Sequence, residues 1–302
     1  MNIRRVACAV GLALAVVAST QAAAAADQTL ATYYVSLGDS LAAGYQPGQG
    51  DTSQGYADQL FTTLTAGGQN PTLQPMKLGC SGETTTTMLN GNATLTDPSC
   101  NNYKKAEGNS QVKAAVQFLA AHPGQVKYLT IDIGANDVQT CAKGGTLDPV
   151  CAVDGIATLA QNLPDILAQL KAAAAASNNA PAFVGMNYYN PFLAAYLTGT
   201  SGKFLAAVTS LAEFVVTTIE ENEYRAAGGQ VADVSGAFHS YDFFTQKQLP
   251  TPIGTVPLNV YNICTLTYEC TPFKDIHTNQ AGYAVIAKAF GDSLGVATPS
   301  AP

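Results

Sequence analysis

Charge is scarce in this chain. Asp, Glu, Lys and Arg make up 12% of 302 residues, while the aliphatic and aromatic share is 47%. A coiled coil needs charge at its flanking positions, and a disordered chain has much charge and little to bury, so both are excluded. Positive charge is scarcer still: Lys plus Arg number 14 against 21 Asp plus Glu, and beyond residue 26 the one arginine is Arg225. A chain starting at Asp27 keeps 12 basic residues against the same 21 acidic ones, a net of about −9. Such a surface cannot neutralise a run of phosphates, which excludes nucleic acid as a partner and disfavours anionic membranes. Long apolar runs are lacking too. After the first 26 residues no segment reaches the roughly 18 apolar residues of a membrane span, so no stable membrane anchor is expected. The chain has no internal repeat and no linker-like stretch.

The N-terminus has a recognisable layout. Met1 to Arg5 is basic, residues 6–17 are apolar apart from Gly11 and Cys8, and residues 19–26 are small and Ala-rich. That is the three-part pattern of a secretory signal peptide, with cleavage expected near Ala26. The expected organisation is therefore a signal peptide over 1–26, one domain over 27–295 and a loose tail over 296–302, in an exported protein. The apolar run before Ser19 and Gln21 is too short for an anchor, and Cys8 precedes that run, which argues against a lipoprotein. Export leaves six cysteines in an oxidising compartment: Cys80, Cys100, Cys141, Cys151, Cys264 and Cys270. An even count reads as three disulfides, for which six cysteines allow 15 connectivities. They fall as three local pairs along the chain, and Cys80–Cys100, Cys141–Cys151 and Cys264–Cys270 is the expected set. No pair has the two-residue spacing of a structural zinc site and the three histidines do not cluster, so no metal is expected.

Five short apolar, β-rich segments recur, at residues 33–37, 73–78, 126–133, 183–186 and 231–234. Helical periodicity separates most of them: Tyr56, Leu60, Phe61 and Leu64; Val112, Val116 and Leu119; then Ile156, Leu159, Leu163, Ile166, Leu167 and Leu170, with a kink expected at Pro164. Residues 204–219 continue the pattern. Residues 280–290 form the last helix, capped by Thr278 or Asn279. Strands alternating with helices predict a single α/β domain: a three-layer α/β/α sandwich around a parallel sheet. Residues 126–133 are apolar almost throughout, as a strand covered on both faces must be. In such a sheet, chemistry sits in the loops beyond the carboxyl ends of the strands.

Those loops hold four informative blocks. Gly38-Asp39-Ser40-Leu41 follows the first strand. Gly79-Cys80-Ser81-Gly82-Glu83-Thr84 follows the second, and Gly134-Ala135-Asn136-Asp137 the third. Asp275-Ile276-His277-Thr278-Asn279 directly precedes the last helix. Alone, Gly-Asp-Ser is ordinary turn chemistry and Ser40 could be a helix cap. Together the blocks answer the needs of acyl transfer. A serine hydroxyl is a poor nucleophile until a base takes its proton, and His277 is the candidate base. A developing oxyanion needs fixed donors. Gly82 lets a backbone N–H approach closely, and Asn136 offers an amide.

In these four blocks, taken in order at one domain's length, the sequence resembles the SGNH (GDSL) hydrolase family of serine esterases and lipases, especially its secreted, disulfide-containing bacterial members. The resemblance covers residues 33 to 290. It implies a flavodoxin-like fold with a five-stranded parallel sheet. It also implies a secreted serine esterase or lipase that hydrolyses carboxylic (acyl) esters of small molecules or lipids without a cofactor. Ser40 matches the nucleophile and His277 the base. The Ser40 N–H, the Gly82 N–H and the Asn136 side chain match the oxyanion hole. Two departures touch the last block. The family's aspartate usually stands three residues before the histidine, a position taken here by Lys274, and Thr278 replaces the usual proline. Asp275 therefore either orients His277 through a shifted loop, completing a triad, or leaves a Ser–His dyad whose imidazole rests on a backbone carbonyl. Two other functions stay open: a carbohydrate O-deacetylase on the same fold, and a non-catalytic secreted binding protein. An α/β-hydrolase lipase would need Gly-x-Ser-x-Gly, which does not occur.

The other polar residues take structural readings. His122 is a surface turn residue, and His239 lacks the cap-and-helix pattern that follows His277. Asp39 and Asp137 hold their turns, Lys104-Lys105 is a solvated pair, and Asp132 has no evident role. Residues 187–196, rich in Tyr, Asn and Phe, are either core or the wall of an acyl or alcohol pocket. Phe238, Tyr241, Phe243 and Phe244 are candidates for the same wall. Residues 249–263, with Pro250, Pro252 and Pro257, read as a long irregular loop leading to Cys264–Cys270. That disulfide is expected to stiffen the histidine-bearing loop.

Overall fold

The first strand, β1 (Thr32–Gly38), alternates its side chains between two apolar environments. Val35 and Leu37 enter one core cluster and Tyr34 the other, as period-two geometry requires of a strand covered on both faces. In this computed structural model, residues 30–91, 100, 110–143 and 146–296 are described. The expected signal peptide, the tail beyond Val296 and Lys104-Lys105 lie outside them.

β1 is joined by β2 (Leu73–Lys77), β3 (Val126–Asp132), β4 (Ala182–Met186) and β5 (Gln230–Ala232). All neighbours pair in parallel, in the order β2-β1-β3-β4-β5. The five expected strands are present, each within two residues of its predicted ends.

Ten helices connect or flank the strands among the described residues: α1 (Ser40–Ala43), α2 (Tyr56–Thr65), α3 (Thr85–Asn90), α4 (Gln111–Ala121), α5 (Ala135–Val138), α6 (Pro149–Ala176), α7 (Thr200–Ala226), α8 (Val234–Ala237), α9 (Leu258–Leu266) and α10 (Gln280–Ser293). On one face of the sheet, Val112 and Leu119 of α4 and Leu159, Leu163, Ile166 and Leu170 of α6 pack against Val35, Leu129 and Ile131. On the other, Tyr56, Leu60 and Leu64 of α2 and Tyr283, Ile286 and Phe290 of α10 pack against Tyr34, Val184 and Met186. Tyr56 and Phe290 stack with ring centroids 4.7 Å apart. This is the three-layer sandwich read from the periodicity. Asn279 is the cap of α10, its side chain accepting the Gly282 N–H.

α6 runs as one helix through Pro164. Leu163, Ile166 and Leu167 are buried around the proline, and their packing against the sheet outweighs the lost backbone hydrogen bond. Residues 249–263 are not an irregular loop. β6 (Gln246–Leu249) and β7 (Gly254–Pro257) pair as an antiparallel hairpin, and α9 follows at once. Leu249, Val256 and Val260 bury a small core of their own, which gives this Pro-punctuated stretch a reason to fold. Beyond α9, β8 (Thr267–Tyr268) and β9 (Asp275–Thr278) form a short antiparallel ladder that carries the histidine block.

Candidate active site

Gly38 closes β1 directly opposite Asp132 in β3. Its φ is +146°, and an added Cβ would lie 2.0 Å from the Asp132 carboxylate, so only glycine fits this crossing. The chain then turns into α1. The Asp39 carboxylate accepts the Leu41 N–H at 2.9 Å and also the Tyr188 hydroxyl at 2.8 Å. Asp39 thus holds the turn, as expected, and leaves Ser40 as the first helical residue.

Asp132, without a role in the sequence, anchors this turn from below. It accepts the Asp39 N–H at 3.3 Å and the Tyr56 hydroxyl. Both aspartates are buried. Burial, and then the adjacent Asp39 charge, push the Asp132 carboxyl well above the usual carboxylate range. Keeping Asp132 protonated avoids placing two buried charges side by side under the serine.

The second block docks onto the first: the Cys80 N–H donates to the Gly38 carbonyl at 3.0 Å, and the buried Cys80–Cys100 disulfide secures the loop. Gln111, the first residue of α4, ties them further. Its amide accepts the Gly38 N–H at 2.6 Å and donates to both the Gly38 carbonyl and the Glu83 carboxylate at 3.0 Å. Gly82 lies between, at φ +83°. In the third block, the Asn136 amide donates to the Glu83 carbonyl at 2.9 Å and accepts from Gln139. An amide nitrogen carries two hydrogens, so this bond orients the group and uses one of them. Asp137 fixes its loop by accepting the Thr85 N–H and hydroxyl at 2.9 and 2.6 Å.

The fourth block comes from 237 residues away in sequence. His277 Nε2 lies 2.8 Å from Ser40 Oγ. His277 Nδ1 lies 2.6 Å from Asp275 Oδ1, which also accepts the His277 backbone N–H at 2.9 Å. The shifted spacing is accommodated locally. Lys274 takes a left-handed φ of +52°, and the aspartate folds back on the residue two ahead. Burial raises the Asp275 carboxyl, but the hydrogen bonds from His277 outweigh it and hold it below the usual range. The imidazole ring packs against Tyr45, centroids 4.4 Å apart, and the Tyr189 hydroxyl donates to the Ile276 carbonyl at 2.8 Å. Cys264–Cys270 closes the turn leading into β9. Cys141–Cys151 links the turn after α5 to the first turn of α6, so all three local pairings are present.

Ser40 and His277 stand at one side of a cleft of about 790 Å³, its open mouth included. Residues 188–192, from the loop after β4, form one wall, and Thr209, Ala212, Glu213 and Val216 of α7 form another. Tyr188 and Tyr189 serve as core and wall together, being both buried and cleft-lining. Gly82 and Asn136 are not among its lining residues. The other aromatic candidates do not reach it. Phe238 is fully buried under Tyr189, and Tyr241 and Phe244 are exposed elsewhere. Residues 249–263 contribute nothing to the lining either. His239 is exposed, and His122 caps α4 against Phe118 and Tyr33. Sequence reasoning missed Gln111, Tyr45, Tyr56 and Glu213. Each sits in an ordinary helical or turn context, and only its partner, distant in the chain, reveals its use.

A parallel sheet in this order, with helical layers on both faces and polar blocks gathered at its carboxyl edge, defines the three-layer α/β/α class. Residues 36–285 match the model of the GDSL-like Lipase/Acylhydrolase family, and the chain belongs to that family. Among solved structures it is similar to an extracellular lipase from Streptomyces rimosus, at 17% identity over 87% of this chain and 100% of that one, with a TM-score of 0.51. It is also similar to Axe2, an acetylxylan esterase from Geobacillus stearothermophilus, at 15% identity over 90% and 97% of the two chains, with a TM-score of 0.49. No curated protein sequence matches it.

Proposed function

We propose that the protein is a secreted serine esterase that hydrolyses carboxylic esters through an acyl-enzyme. The observation that carries this reading is the continuous line from Asp275 through His277 to Ser40, at 2.6 and 2.8 Å, opening on a largely apolar cleft. Asp275 holds the Nδ1–H tautomer, so Nε2 is the free base facing the hydroxyl. His277 takes the Ser40 proton as Oγ attacks the ester carbonyl. The Ser40 N–H, the Gly82 N–H and the Asn136 amide stabilise the tetrahedral oxyanion. The imidazolium then protonates the leaving alcohol, the acyl group stays on Ser40, and water repeats the sequence through the same base. The resting charge of Asp275 supports the imidazolium formed in each half, which favours a triad over a dyad. Three disulfides and the basic-apolar-small N-terminus support secretion.

The test is covalent labelling with an organophosphonate, followed by peptide mapping. An adduct on Ser40, absent from Ser40→Ala together with turnover of p-nitrophenyl esters, is expected. An adduct on a different serine refutes the assignment, and a correctly oxidised protein with no ester turnover refutes the reading as an enzyme.

A further inference from the structure

α7 is long and sparsely charged through its middle. Between Lys203 and Glu220 its one ionisable residue is Glu213, whose carboxyl is turned inward to accept the Ser235 hydroxyl at 3.1 Å. Its outward face is apolar instead. Phe204 is 72% exposed, Leu211 68%, Phe214 57% and Val215 41%. Single exposed apolar side chains are normal, but these are not scattered. At about 100° per residue, Phe204, Leu211 and Val215 fall within roughly 40° of one another, with Phe214 on their flank. Further round the same helix, Ala212 and then Val216 line the cleft. The exposed stripe and the cleft wall are thus adjacent sides of one element.

We propose that this face of α7 docks the protein on an uncharged or zwitterionic lipid surface, with the cleft at the contact line. Charge selects the occupant. From Phe204 to Val215 this face carries no exposed charge and gains little from an anionic surface, and the chain's net charge of −7 repels one. Position selects it too. A second protein copy seated on α7 would cover the cleft mouth, whereas a lipid surface there presents an acyl ester to it. The inference rests on the ester-hydrolase reading for its purpose but not for its measurement, because binding is read on Ser40→Ala, which turns nothing over.

The chain contains no tryptophan, so one introduced residue reports alone. Phe204→Trp in the Ser40→Ala background is titrated with phosphatidylcholine vesicles, and Lys127→Trp, exposed at the opposite end of the sheet, is the control. A blue shift at residue 204 and none at residue 127 is expected. In vesicle flotation, Phe204→Ser/Leu211→Ser/Phe214→Ser should lower partitioning on the order of 100-fold. The same triple change with Ser40 intact should leave turnover of soluble p-nitrophenyl acetate unchanged. The single change Phe204→Lys, near the helix start, keeps the test alive should the triple variant fold poorly. It should weaken binding by at least about tenfold. Undiminished partitioning in these variants, preference for phosphatidylglycerol vesicles, or a dimer that the triple variant dissolves would each overturn the proposal.

Discussion

Replacing Asp275 by asparagine changes one terminal atom and tests how the site works. In the folded protein Asp275 Oδ1 accepts two hydrogen bonds, from the His277 backbone and from Nδ1. When Ser40 gives up its proton, His277 becomes an imidazolium beside this carboxylate. Two unit charges about 4 Å apart attract by about 4 kcal/mol at an effective dielectric of 20. The side chains of His277 and Asp275 are 16% and 25% exposed, so solvent screens part of that, leaving about 2–3 kcal/mol. A further loss comes from the tautomer. An asparagine amide turned to donate to Nδ1 forces the proton onto Nε2, and the ring can no longer accept from Ser40. Together these predict a loss of about 10³-fold in kcat, at roughly 1.4 kcal/mol per tenfold, with little change in KM. Asp275→Ala, which lets water support Nδ1, should lose less than Asp275→Asn. The assay is steady-state hydrolysis of a short p-nitrophenyl ester, normalised to active sites titrated with an organophosphonate. Near-wild-type activity in Asp275→Asn would sink the triad and leave the dyad.

Gln111→Leu should destabilise the protein by about 2–4 kcal/mol, because it strands the buried Gly38 N–H and takes a donor from both the Gly38 carbonyl and the Glu83 carboxylate, and should lower kcat as well. Urea unfolding measures the first effect, and a cost below about 1 kcal/mol would show the clamp to be idle. Glu220 is buried, and neither of its carboxyl oxygens has a hydrogen-bond partner among the described residues. Burial, and then the Glu213 charge, hold its proton well above the usual carboxylate range. A raised acid binds its proton in the folded state and releases it on unfolding, so its contribution to stability falls as pH rises from the ordinary carboxylate range through the folded value. Glu220→Gln should therefore raise Tm at pH 8 by at least about 2 °C relative to its effect at pH 5, read by scanning calorimetry; an equal shift at both pH values refutes this. Cys264→Ser/Cys270→Ser reopens a turn with a sequence separation of 6, worth about 2 kcal/mol of chain entropy. It should speed thermal inactivation of ester turnover, and an unchanged inactivation rate would show that this disulfide does not stiffen the histidine loop.

Periodicity and punctuation made most of this architecture legible in one dimension. Apolar strands such as residues 126–133 can be stable only when covered on both faces, and helices such as residues 204–219 can bury only one stripe. Local spacing alone therefore determined a parallel sheet between helical layers, and with it the strand ends where Ser40, Gly82 and Asn136 stand. The chain's low charge had already excluded polyanionic partners. Tertiary contact decided the rest. Whether Asp275 reaches His277 depended on a left-handed Lys274, and whether Asp132 has a task depended on the register that sets it across from Gly38. The stretch 249–263 became a hairpin and helix because Leu249, Val256 and Val260 find one another, which its prolines concealed. Gln111, Tyr45 and Glu213 carry no sequence signature, since a hydrogen bond or ring contact between residues scores apart in the chain leaves no period in the letters.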